Sequence, residues 1–140
     1  MSLKERIYSV LIVSAAGNLN TALTALLPES RYAPVHSVSS VSAAKRAFAQ
    51  RTYDYVIVNA PLPDEVGTRF AIDACHAEGT VVLLMARGEL HADLYDKVAE
   101  HGVFTLPKPT SRQTIITALS WMASARERLR NAEKKTLSIQ

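Results

Sequence analysis

Apolar residues along this chain fall into two alternating periods. Short, largely apolar runs occur at Tyr8 to Val13, Val56 to Asn59 (ending on that polar residue), Val81 to Met85 and Val103 to Leu106. Runs of this length bounded by turn residues predict strands buried on both faces. Tyr32 to Val38 predicts a further strand, but Pro34 interrupts it and assigns it to a sheet edge. Between the runs the spacing becomes helical. Leu19, Leu23, Leu26 and Leu27 share one face behind Asn18, a candidate N-cap, and Pro28 stops that helix. Ser39 or Ser40 caps a second helix to about Gln50, with Val41, Ala44, Ala47 and Phe48 as its inner side. A third helix is predicted from about Glu65 to Ala77, ended by Gly79, and a fourth from Glu89 to His101, ended by Gly102. Ala86-Arg87-Gly88 reads as the loop before the fourth helix, and Pro107-Lys108-Pro109 closes the fifth strand. The last helix starts near Ser111 and meets no stop signal before about Lys135.

Five strand–helix units in alternation imply an α/β fold, a mostly parallel sheet with helices on both faces. Loops after strands one, three and four facing one site fit the doubly wound, flavodoxin-like order 2-1-3-4-5. The C-terminal ends of such strands are where ligands bind. The division expected is a domain over 1–122 and a helical extension over 123–140, the start of a coiled-coil linker to an output domain.

Composition changes this picture little. A length of 140 residues, 48% hydrophobic and 21% charged, suits one globular domain with a sizeable core. Cys75 is the sole cysteine, so no internal disulfide forms, and a buried inert thiol is expected. No apolar run reaches the roughly 18 residues of a membrane span. Lys4 and Arg6 before Tyr8 to Val13, with Ser14-Ala15-Ala16 after, imitate a secretory signal. A turn and a helix follow at once, so the run reads as the first strand, and a cytoplasmic protein is expected. Charge is uneven. From Arg112 onward six cations (Arg112, Arg126, Arg128, Arg130, Lys134, Lys135) face only Glu127 and Glu133, while the whole chain carries +3. The body is close to neutral and the tail is basic.

The stretch with most chemical content is Asp54-Tyr55-Val56-Ile57-Val58-Asn59-Ala60-Pro61-Leu62-Pro63-Asp64-Glu65-Val66-Gly67. With Gly102-Val103-Phe104-Thr105-Leu106-Pro107-Lys108-Pro109, it resembles the response-regulator receiver domain, over about residues 6–122. The resemblance implies that Asn59 occupies the position that the family phosphorylates on an aspartate. An amide oxygen is a poor nucleophile and carries no charge. Ser14 and Ala15 match the acidic pair that holds magnesium in the family. Met85 matches the threonine or serine that bonds the phosphoryl group, and Thr105 matches the aromatic switch position. Lys108 and Pro109 are retained, and the resemblance implies a cis bond between them. Lys108 then either keeps an anion site or bonds Asn59 or a loop carbonyl. Metal ligands, nucleophile and hydroxyl are lost together, which describes a pseudo-receiver with no metal and no cofactor.

Other chemistry is thin. Asp64 and Glu65 read as a solvated loop carboxylate and a helix N-terminal one. His36, His76, His91 and His101 lack metal-ligand spacing, and His76 and His101 fall near helix C-termini. Ser14 sits in no nucleophile elbow, and Gly17 stands alone where a dinucleotide fingerprint needs three glycines. In the tail, Ile115, Ala118, Met122, Ala125, Leu129, Ala132 and Thr136 step by three and four, a heptad seam. It predicts a dimerisation or linker helix, and a homodimer through it.

The first functional expectation is a regulatory, non-enzymatic domain acting through protein–protein contact and dimerisation on a C-terminal output. Its contact face is expected on the fourth helix, fifth strand and last helix, with no membrane partner. A degenerate receiver before a charged coiled coil also resembles the front half of ANTAR-type antiterminators, which implies RNA binding through a domain beyond these residues. A flavodoxin-like enzyme is the third class.

Overall fold

The computed structural model describes residues 6–139, with side chains described as far as residue 133. The elements in order are β1 (Tyr8–Val13), α1 (Gly17–Ala25), β2 (Tyr32–Val38), α2 (Val41–Gln50), β3 (Tyr55–Asn59), α3 (Thr68–Cys75), β4 (Val81–Arg87), α4 (Gly88–Val98), β5 (Phe104–Lys108) and α5 (Arg112–Ile139). The sheet is parallel in the order β2-β1-β3-β4-β5, as the alternating pattern implied. β1, β3 and the body of β4 are buried along their length, because helices cover both faces. β2 is an edge strand. Its register with β1 slips between the Tyr8 and Val10 pairs, at Ala33-Pro34, where proline has no N–H to give.

Strand alternation divides the core in two. Leu11, Val13, Val56, Val58, Val82 and Leu84 face α2, α3 and α4. Tyr8, Val10, Ile12, Tyr55, Ile57, Leu83 and Met85 face α1 and α5. Tyr8 and Tyr55 stack at 5.1 Å between ring centroids, with Tyr32 tilted against both.

Several local expectations are corrected. Asn18 is not the cap of α1. Ala16 holds that position without a side-chain bond, and the Asn20 amide instead donates to Ser14 O at 3.0 Å. α3 begins at Thr68 rather than Glu65, because Gly67 precedes it at φ 103°. A residue in that left-handed region cannot extend a right-handed helix. A Cβ there would meet Val58 and Leu62 at 3.1 and 3.2 Å. α3 ends at Cys75, so Gly79 lies past its cap, in the turn to β4. Ala86 and Arg87 are strand, not loop, because pairing with Pro107 and Lys108 carries β4 straight into α4.

α2 is held at its N-terminus by two side chains. Ser40 accepts from Ala43 N, as expected of a cap. Asp64, expected to be solvated, also accepts from Val41 N and Ser42 N, each at 2.9 Å. Together they satisfy three of the helix's free N–H groups. These backbone bonds hold the Asp64 carboxyl below its ordinary range.

Candidate functional site

The C-terminal ends of β1, β3 and β5 bring Ser14, Asn59 and Lys108 into one hydrogen-bonded chain. Asn59 Nδ2 donates to Ser14 Oγ at 3.1 Å. The Lys108 ammonium donates to Asn59 Oδ1 and, at 3.2 Å, to Ala60 O. Ser14 Oγ also accepts from Ala16 N at 3.2 Å. Ser14 is 1% exposed and Asn59 6%, so these polar groups are paired as burial requires. Lys108 thus bonds both partners that the sequence suggested, the amide and a loop carbonyl. Burial, and then the Arg87 charge, hold its ammonium below the ordinary lysine range. The Lys108–Pro109 peptide is cis.

The other site positions are less engaged. Ala15 is exposed. Met85 is fully buried beside Asn59, its register partner, and offers only its backbone oxygen, to Ala60 N at 2.8 Å. Thr105 pairs with Leu84 inside β5 and does not line the cleft at this end.

That cleft, of about 770 Å³, lies between α1 and the turn from β5 into α5. Leu19, Ala22, Leu26, Met85 and Ile115 form its apolar side, and Asn59, Arg87, Lys108 and Arg112 its polar side. Arg87, read as a loop residue, and Arg112, read as part of the basic tail, were not assigned to the site from the sequence. A signal existed for Arg87, which lies two residues after Met85 and therefore on the same strand face. The donor set does not fit magnesium. Among the described residues no carboxylate lines the cleft, and magnesium sites normally use one or two.

The predicted seam on α5 splits by burial. Ile115, Ala118 and Met122 are 6%, 3% and 0% exposed and pack on the sheet face shared with α1. They are core of their own domain and cannot also pair with a second chain, which corrects that half of the dimerisation seam. Ala125 is half-buried, and Leu129 and Ala132 are exposed. Thr136 falls outside the residues whose side chains are described. Below Met122 the helix is tied to the opposite end of the sheet. Arg126 Nε meets Asp54 Oδ1 at 2.9 Å. Glu127 accepts from the Tyr8 hydroxyl at 2.9 Å and pairs with Arg6 at 3.2 Å and Arg130 at 3.9 Å. Two of the basic tail residues therefore already face carboxylates.

Cys75 is half-buried, donates to His101 O at 3.0 Å, and is pushed up in pKa by burial. His76 and His101 meet ring nitrogen to ring nitrogen at 2.9 Å, a pairing the sequence did not suggest. Among the described residues no group of three or more His, Cys, Asp or Glu is placed to hold a metal ion. No helix among them is long and apolar enough to cross a membrane.

No protein-family model matches the sequence, and a search of curated protein sequences gives no match. Solved structures do match. The signal receiver domain of an HD domain-containing protein from Pseudomonas fluorescens Pf-5 superposes with a TM-score of 0.79 at 22% identity, over 94% of this chain and 96% of that one. The beryllofluoride-activated NtrC4 receiver domain dimer gives 0.72 at 19% identity, over 84% and 98%. A CheY-like response regulator receiver domain from Methylobacillus flagellatus gives 0.69 at 21%, over 83% and 98%. Strand order and overall superposition agree: this chain has the fold of the response-regulator receiver domains.

Proposed function

We propose that this chain is a non-phosphorylatable, receiver-like regulatory domain of a cytoplasmic signalling or transcription regulator, and not an enzyme. The observation that carries this is the closed chain Ser14–Asn59–Lys108. Its acceptor is a neutral amide already engaged by Lys108, and among the described residues no carboxylate lines the cleft beside it to hold magnesium. Phosphoryl transfer to a receiver needs a carboxylate nucleophile and carboxylates to hold the metal ion, and this lining offers neither.

The domain then works by contact. The partner it fits best is a second copy, meeting through the exposed side of α5. Trp121 and Leu129 are 61% and 41% exposed there. They border a groove of about 790 Å³ shared with Phe104 and His101. An exposed aromatic beside a groove is the usual anchor of an interface. α5 would pass the resulting state to whatever follows it.

Incubation with a small acyl phosphate and Mg²⁺ tests the chemistry. Intact mass spectrometry is expected to show no phosphate adduct. An adduct that disappears in Asn59→Ala would overturn the reading. Sedimentation tests the contact. Trp121→Ser with Leu129→Ser is expected to shift a concentration-dependent dimer to monomer, and a monomer at all concentrations removes the dimer.

A further inference from the structure

The cleft above Asn59 carries one sign of charge. Lys108, Arg87 and Arg112 border it, and among the described residues no aspartate or glutamate lines it. Arg87 and Lys108 are register partners on adjacent strands, a position where like charges repel. Lys108 spends its two hydrogen bonds on neutral oxygens. Among the described residues neither arginine makes an ion pair, whereas Arg6, Arg69, Arg126 and Arg130 all do. The rest of the wall is aliphatic, from Leu19, Leu26, Met85 and Ile115. A concave apolar surface with a few converging charges is the form that small-molecule sites take. Positive charge beside low-dielectric walls also concentrates anions.

We propose that this cleft binds a small organic anion, its carboxylate or phosphate head on Lys108, Arg87 and Arg112 and its apolar body against Leu19, Leu26 and Ile115. Two guanidinium groups and an ammonium suit such a head, since the planar guanidinium pairs with two oxygens at once. Inorganic phosphate would leave the aliphatic wall wet, and a neutral lipid would leave the cations unpaired. The occupant touches α5 at Arg112 and Ile115, the first turns of the helix that Asp54 anchors further on. It is thus placed to bias the helix that we read as the output. The inference rests on the reading that Asn59 accepts no phosphoryl group. The mass measurement decides that reading by a covalent adduct, and the experiment below decides this one by reversible binding.

The test is calorimetric titration of the whole chain with octyl phosphate, octanoate, octanol and inorganic phosphate. At least one amphiphilic anion is expected to bind about tenfold or more tighter than both octanol and inorganic phosphate. Whether octyl phosphate or octanoate binds better identifies the head group. Arg87→Gln is expected to weaken binding about tenfold, the scale of one lost charge-assisted contact. Ala22→Asp, an exposed position at the rim, is expected to abolish it by placing a carboxylate in the mouth. Circular dichroism confirms that both variants fold. The proposal is overturned if no probe binds, if octanol or inorganic phosphate binds as well as the anionic amphiphiles, or if both variants bind like the original protein.

Discussion

The Asp54 carboxylate, at the entrance to β3, holds the Arg126 guanidinium at 2.9 Å, and the same strand ends at Asn59, which receives Lys108. One strand therefore joins the pocket at one end of the sheet to the long helix at the other. Asp54 Oδ2 also accepts from Ser9 N and Ser9 Oγ, at 2.9 and 3.2 Å. The helix anchor is thus built at the entrances of β1 and β3, adjacent strands of the sheet.

Removing either member of that ion pair should loosen α5 below Met122. Both side chains are largely buried, at 13% and 21% exposed, so the lost contact leaves a poorly solvated charge. Arg126→Met is expected to cost about 1–3 kcal/mol. Asp54→Asn should cost a similar amount, and the double variant less than the sum. Urea denaturation measures the cycle, and amide exchange should rise across 123–130. Additive costs with unchanged exchange would mean that the pair does not anchor the helix.

Gly79 should resist substitution for two reasons at one position. Its φ is 78°, and a Cβ would lie 3.1 Å from the Arg126 guanidinium. Gly79→Ala combines left-handed strain with a displaced ion pair, for about 1–2 kcal/mol. A thermal midpoint equal to that of the parent protein would show that the turn relaxes freely.

Tyr8 gives stability an alkaline limit. Burial, with the hydrogen bond to Glu127, pushes its phenol up to about 12 from 10.0. Between those values the unfolded chain has released the phenolic proton while the folded chain keeps it. Unfolding therefore sheds protons there, and stability falls as pH rises from 10 toward 12. Burial raises Tyr55 and Tyr32 as well, so Tyr8→Phe should reduce that slope, without abolishing it, in denaturation curves taken across the window. An unchanged slope would assign it to other groups.

Asn59→Asp should reverse the perturbation at Lys108. The lysine is now held low by burial and by Arg87. A carboxylate in place of the amide oxygen that it contacts favours the charged ammonium. NMR titration of the lysine side chain should show its pKa rising. Because Ser14 and Ala15 supply no carboxylate for a metal, this single change is not expected to confer phosphorylation. A phosphate adduct on the Asn59→Asp variant would show that the missing nucleophile alone kept the site silent.

The alternation of strand and helix, the edge position of β2 and a serine cap on α2, at Ser39 or Ser40, were legible in the sequence. Each rests on near-neighbour chemistry: short apolar runs, steps of three and four residues, a missing proline N–H, a serine oxygen one helical turn from its donor. The Asn59–Lys108 contact was legible as one of two alternatives only through the resemblance to receiver domains, which implies a lysine at Lys108 facing the Asn59 position. Tertiary structure decided the rest. Periodicity marks Ile115, Ala118 and Met122 as apolar on one face, but a heptad seam and a core-facing stripe look alike in one dimension. Only the packing of α5 on the sheet shows which half of the seam is covered. Asp54–Arg126, Tyr8–Glu127 and the Asp64 cap of α2 join residues far apart in sequence, and no local rule pairs them. The single sign of charge in the cleft likewise arises only when β4, β5 and α5 bring Arg87, Lys108 and Arg112 to one rim. Sequence thus determined which elements form and which carboxylates are absent. Folding alone decided which charges meet.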